Sequence, residues 1–244
     1  MIAPATGAGD AGGGPGSSPF DAHRCDYDEV LNRGLAVSGE NAAHFARRRI
    51  EWLGACLRRL GERPASVLDY GCGHGSSAPL FLEILGVSRV LGVEKSSGLL
   101  EAARARIVNE RIRFAARDGH VPDGSFDLAF CNGVFHHVPP GERAEEVRFL
   151  RRSLKPGGLL AFWENNAWNP GTRLVMSRIP FDRGSRPLAA VEAKRMLRAG
   201  GLSVIRTDHL FLFPGFLRAL RPLEPLLTAL PAGAQYQVLC RAPA

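Results

Sequence analysis

The stretch VLDYGCGHGSS, residues 67–77, decides the reading of this chain. An apolar run ends at Asp69, and glycines then stand at positions 71, 73 and 75. Such a run closed by alternate glycines predicts a buried strand entering a tight turn, since glycine takes left-handed backbone without strain. A helix is predicted next, near 77–85. Strand, turn and helix together set backbone N–H groups and a helix N-terminus at the carboxyl edge of a sheet, where open α/β sheets bind ligands. A tight turn alone would explain glycines, but the spacing says more. A dinucleotide fingerprint, GxGxxG, would need its third glycine at Ser76, whereas the chain reads GxGxG. About twenty residues past the glycines the next apolar run ends in Glu94, an acid able to accept from both hydroxyls of a ribose. The ligand so described carries a ribose but not a typical pyrophosphate.

The same rhythm continues outward. Strands are predicted at 66–70, 89–93, 112–115, 126–131 and 159–163, with helices near 98–108 and 142–154 between them. A helix near 188–199 and strands at 202–208 and 235–240 complete the pattern. Strand and helix alternating several times means a parallel sheet covered on both faces, an α/β fold. Ahead of it, the pattern from Phe20 to Leu60 is helical, with Ser38 as N-cap and an apolar side formed by Ala42, Phe45, Ile50, Trp52 and Leu53. Residues 1–19 are nearly all Gly, Ala, Pro and Ser, the composition of a disordered leader. Residues 210–231, LFLFPGFLRALRPLEPLLTALP, place Phe213, Phe216, Leu217 and Leu220, then Leu223, Leu226, Leu227 and Leu230, at helical spacing. Two short amphipathic helices are implied there, open to three roles: packing on the sheet, a lid over an apolar substrate, or contact with a membrane surface.

Composition narrows the class. A chain of 244 residues with 45% hydrophobic content suits one domain with a real core. The formal charge of +7 is carried almost wholly by arginine, the lysines being Lys95, Lys155 and Lys194. Scattered along the chain, it reads as a solvated basic surface rather than a nucleic-acid face. Five cysteines without a CxxC pair indicate reduced thiols in a cytoplasmic protein, not a disulfide frame or a zinc site, and no metal is called for. No uncharged apolar run reaches the roughly 20 residues of a membrane span, and no secretory signal is legible.

At this point the chain resembles the class I S-adenosylmethionine-dependent methyltransferases. VLDYGCGHG is similar to their first motif and LGVEKS to the acidic end of their second strand. RFAARDGHVP resembles the third-strand segment, FDLAFCNGVFHHVPP the fourth-strand motif, and LRRSLKPGGLLAFWE the helix, turn and fifth strand beyond it. The likeness covers about a hundred residues and is nearest to small-molecule enzymes of the ubiquinone and menaquinone biosynthesis type. It implies a Rossmann-like three-layer sandwich over residues 20–244. Its seven-stranded sheet would be mostly parallel with an antiparallel last strand, capped by N-terminal helices at 20–60 and carrying a helical insert before that last strand.

The resemblance also implies roles. Gly71 and Gly73 would lie against the methionine part of S-adenosyl-L-methionine, with Asp69 either orienting the loop or reaching the amino group through water. Glu94 would hold the ribose, Asp118 would accept from the adenine amino group beside the Gly119 N–H, and Asn132 would bracket the sulfonium side. Arg48 is open to two readings, a partner for the cofactor carboxylate or a solvated helix position. His136 and His137 follow the fourth strand, where the methyl must point. Either one serves as general base toward a hydroxyl acceptor, or both are hydrogen-bonded structural histidines. Segments 164–186 and 210–231 would cover a small, partly hydrophobic acceptor. Two alternatives stand beside this reading, a non-catalytic cofactor-binding subunit and an RNA methyltransferase. The chain reads Cys131-Asn132-Gly133-Val134 where enzymes acting on exocyclic base amines carry [DNS]PP[YFW], which disfavours nucleic acid.

Overall fold

A computed structural model describes residues 26–244; the leader expected at 1–19 and the first residues of the expected helical region, 20–25, lie outside the described residues. Strands β1 (Ser66–Tyr70), β2 (Arg89–Glu94), β3 (Ile112–Ala116), β4 (Phe126–Asn132), β5 (Leu154–Asn165), β6 (Ser203–Leu210) and β7 (Gln235–Arg241) share one sheet, ordered β3-β2-β1-β4-β5-β7-β6. Six strands run parallel, and β7 runs antiparallel between β5 and β6. Helices α1 (Tyr27–Leu35), α2 (Ala42–Leu60), α3 (Ala78–Leu80), α4 (Ser97–Arg106), α5 (Arg143–Ser153), α6 (Pro170–Arg178), α7 (Ala190–Ala199) and α8 (Glu224–Leu227) flank or cap it.

The layering comes from the strand period of two. All five β1 residues are buried, as in a central parallel strand covered on both faces. Val67 joins a core with Ile50 and Leu53 of α2 and Phe81, whereas Leu68 and Tyr70 join a second core with Phe149 and Leu150 of α5 and Leu197 of α7. Three layers result, the expected Rossmann-like sandwich.

Local differences from the sequence reading have physical causes. The N-cap of α2 is Asn41, whose side chain accepts from the His44 N–H at 2.9 Å, not Ser38. Ser38 instead closes a 3₁₀ turn over Ala36–Ser38, and Gly39 at φ 75° breaks the chain between them. The helix after the glycine loop is only three residues long before it widens into a π turn over Phe81–Leu85. In the 210–231 stretch, two amphipathic α-helices do not form. A 3₁₀ segment, Gly215–Leu223, is interrupted at Leu217 and contains Pro222, and the α-helical part is only the four residues of α8, with Pro225 in its first turn. Phe216 and Leu226 stay at the surface, 82% and 81% exposed, whereas Leu210 is buried in the core and Phe211 packs against it. Among the described residues no helix is long and apolar enough to cross a membrane.

Candidate active site

Strand order reverses at β1: the chain proceeds outward through β2 and β3, then returns to place β4 on the other side. Such a switch leaves a crevice above the carboxyl ends of β1 and β4. A cavity of about 1010 Å³ lies there, enough for a nucleoside and a small second ligand. Gly71, Gly73, Glu94, Asp118 and Asn132 line it. Asp69 sits beneath the loop, 3% exposed, and Gly119 lies outside the wall.

The glycines divide by what surrounds them. Gly71 holds φ 68°, and a Cβ there would stand 2.3 Å from Val134 Cγ2. A Cβ on Gly75 would stand 2.6 Å from the Phe114 ring, so the close neighbours of these two are the chain's own side chains. Gly73, at φ 54°, has nothing within 4 Å of where its Cβ would be, and it lines the cavity. Its N–H donates to Glu94 Oε2 at 2.9 Å, while Glu94 Oε1 accepts from the N–H groups of Lys95 and Ser96 at 2.8 and 3.0 Å. Three backbone donors therefore fix this carboxylate in place. Asp69 Oδ2 and Asn132 Oδ1 are buried without a hydrogen-bond partner. Burial, with the Glu94 charge second, raises the Asp69 carboxyl to about 7.

Helices α1 and α2 also line the cavity, α1 packing on the glycine loop. The Tyr27 ring stacks on Phe181 at 4.9 Å and meets His74 edge-on at 4.6 Å. Arg48 pairs with Glu51 at 2.9 Å on the surface of α2. Its neighbour Arg49 points inward and donates from Nε to Gln235 Oε1 at 2.8 Å. Burial lowers its guanidinium to about 10, still charged at neutral pH, and among the described residues no carboxylate pairs with it. The sequence carries a signal for Arg49: it falls four residues after Phe45 and four before Leu53, on the buried stripe of α2.

His136 and His137 both line the cavity, in different settings. His136 is 4% exposed, with Nδ1 2.7 Å from Glu164 Oε2 and Nε2 3.5 Å from Asp182 Oδ1. Burial opposes its charge, but Glu164 and Asp182 outweigh burial and raise its pKa to about 10. His137 is partly buried, with Nε2 3.2 Å from the same Asp182 oxygen. Glu164 at the end of β5 and Asp182 in the 3₁₀ turn Pro180–Asp182 do not stand out in the sequence. A charge closing the apolar run LLAFW is the available hint for Glu164.

The fold and this crevice are those of an α/β protein with a ligand-sized cavity at the carboxyl edge of its sheet. A family model described as a methyltransferase domain matches residues 68–162. A trans-aconitate 2-methyltransferase of Methylobacterium nodulans is 32% identical over 200 residues, covering 73% of this chain and 76% of that enzyme. A trans-aconitate 2-methyltransferase of Rhizobium rhizogenes is 39% identical over 94 residues, covering 38% of this chain and only 36% of that one. In fold, the chain is similar to an S-adenosylmethionine-dependent methyltransferase of Mesorhizobium loti, with a TM-score of 0.57 and 22% identity over 79% of this chain and 97% of that one. The chain belongs to the S-adenosylmethionine-dependent methyltransferases. Its crevice is compatible with that cofactor: Glu94, held by backbone donors, Gly73, with nothing within 4 Å of where its Cβ would stand, and Asn132, whose side-chain oxygen has no hydrogen-bond partner, all line it.

Proposed function

We propose that the protein transfers a methyl group from S-adenosylmethionine to a carboxylate oxygen of a small, partly apolar acid. When bound, the cofactor supplies an electrophilic methyl on a sulfonium. In this reading Glu94 accepts from the ribose hydroxyls, and Gly71 and Gly73 give the methionine part a bare backbone to lie on. Asp118 accepts from the adenine amino group, with the Gly119 N–H beside it. Asn132 Oδ1 faces the sulfonium side, and Asp69 steadies the loop from below. Fixing donor and acceptor in line supplies much of the rate through effective molarity.

The observation that carries the acceptor class is Arg49, a half-buried guanidinium lining the cavity with no carboxylate partner among the described residues. Its anchor, Gln235, opens β7 at the cavity wall. The names of the relatives, which act on trans-aconitate, favour the same class. Apolar neighbours such as Val175, Met176 and Phe213 suit the rest of the acceptor. A carboxylate is already ionised at neutral pH and surrenders no proton, so the reading requires no base and gives His136 and His137 a positioning role. The test is a panel of acceptors assayed with labelled methyl donor: trans-aconitate and other unsaturated acids against matched amides, a phenol and an amine. Turnover confined to the acids supports the proposal; amides methylated equally well overturn it.

A further inference from the structure

The side chains of His136, His137 and Asp182 converge in a way that methyl transfer to a carboxylate does not require. The turn after β4, closed by His137 N–H to Val134 O at 3.0 Å and Val138 N–H to Phe135 O at 3.3 Å, brings two adjacent imidazoles side by side. Their ring centres stand 4.0 Å apart at 46°. Glu164 engages Nδ1 of His136, which leaves Nε2 as its second functional atom. That nitrogen is buried and has no hydrogen-bond partner. It lies 3.5 Å from Asp182 Oδ1, and His137 Nε2 lies 3.2 Å from the same oxygen. All three candidate ligand atoms fall within 4.8 Å of one another.

We infer that His136, His137 and Asp182 form a binding site for a divalent transition-metal ion of the zinc class, with Glu164 supporting it from behind. Ligand atoms 2.0–2.1 Å from a tetrahedral ion stand about 3.3–3.4 Å apart, close to the two spacings seen here. A ligating imidazole ordinarily gives its other nitrogen to a carboxylate, the arrangement that Glu164 provides. Two imidazoles and one carboxylate suit zinc, cobalt or ferrous iron, whereas magnesium and calcium prefer oxygen donors. The ion would lie beside two carboxylates, Asp182 as ligand and Glu164 behind His136. Three protein ligands leave a fourth position open, and because all three line the cavity that position is available to an acceptor oxygen. The ion would then orient the acceptor.

The experiment uses the full chain, stripped with a chelator and dialysed to equilibrium against Zn²⁺, with metal counted by plasma mass spectrometry. In parallel, Co²⁺ is titrated and its visible d–d absorption recorded. One ion per chain and an intense tetrahedral Co²⁺ spectrum are expected, both lost in His137→Ala and Asp182→Asn. Glu164→Gln should keep the site but weaken it about 10–100-fold. His137 is only partly buried, so its replacement leaves the core intact, and circular dichroism verifies the fold of each variant. Absence of stoichiometric Zn²⁺, or binding that persists in both His137→Ala and Asp182→Asn, overturns the inference and leaves a hydrogen-bonded imidazolium cluster. Metal is measured without cofactor or acceptor, so failure here leaves the methyl-transfer reading untouched.

Discussion

Replacing Gly73 with alanine separates binding from folding in this protein. Gly73 and Gly61 both hold left-handed backbone, at φ 54° and 73°, and neither has an atom within 4 Å of where a Cβ would stand. Left-handed backbone costs an L-residue about 1–2 kcal/mol, so Gly73→Ala and Gly61→Ala should lose similar stability. In a domain of this size that lowers Tm by roughly 2–8 °C. Gly61 caps α2, whereas Gly73 lines the cavity. The added methyl at 73 takes space assigned to the methionine part of the cofactor, an overpacking penalty of about 1–3 kcal/mol. Calorimetric titration with S-adenosylhomocysteine should therefore show binding about 10–100-fold weaker in Gly73→Ala and unchanged in Gly61→Ala. Gly71→Ala should be the least stable of the three, since its Cβ also meets Val134 Cγ2 at 2.3 Å. Equal affinity in Gly73→Ala and wild type, or equal loss in both Gly73→Ala and Gly61→Ala, would refute the assignment of the loop.

Other residues carry consequences of their own. Asp69 ionises near 3.8 in the unfolded chain and near 7 in the fold, because burial and then the Glu94 charge oppose its anion. A raised carboxyl lowers stability as pH rises from about 4 to about 7, by up to ~4 kcal/mol at roughly 1.36 kcal/mol per unit. Urea midpoints of Asp69→Asn should therefore gain on wild type between about pH 4 and about pH 7; parallel curves would contradict this. Glu94→Gln removes a charged acceptor worth about 1.5–3 kcal/mol and should weaken S-adenosylhomocysteine binding about 10–100-fold, measured by the same titration. Arg49→Met should raise KM for an acid acceptor by about 100-fold or more with cofactor affinity unchanged, and Arg49→Lys should recover part of it. Steady-state kinetics with both substrates varied would expose the opposite pattern, a cofactor defect.

Much of the architecture is legible in the sequence because it is local. The run from Val67 to Gly75 states its strand and turn within nine positions, and Glu94 closes the next strand at a spacing fixed by one crossover. Leu210–Pro231 misleads because helical spacing of leucines does not distinguish an α-helix from a 3₁₀ segment broken at Leu217. Asn41 and Ser38 are both good caps by residue type, and only the turn at Gly39 decides between them. The acceptor side is the least legible. Arg49 comes from α2, Glu164 from the end of β5 and Asp182 from the turn after α6; their convergence depends on tertiary packing rather than local pattern.

The acceptor claim meets its most direct test in the position of the transferred methyl. Tandem mass spectrometry of the product formed from trans-aconitate and a deuterated-methyl donor should place the label on a carboxylate oxygen, as an ester that mild alkali removes. Label found on carbon or nitrogen and stable to alkali, or label entering a neutral acceptor while every acid stays unmodified, would contradict it.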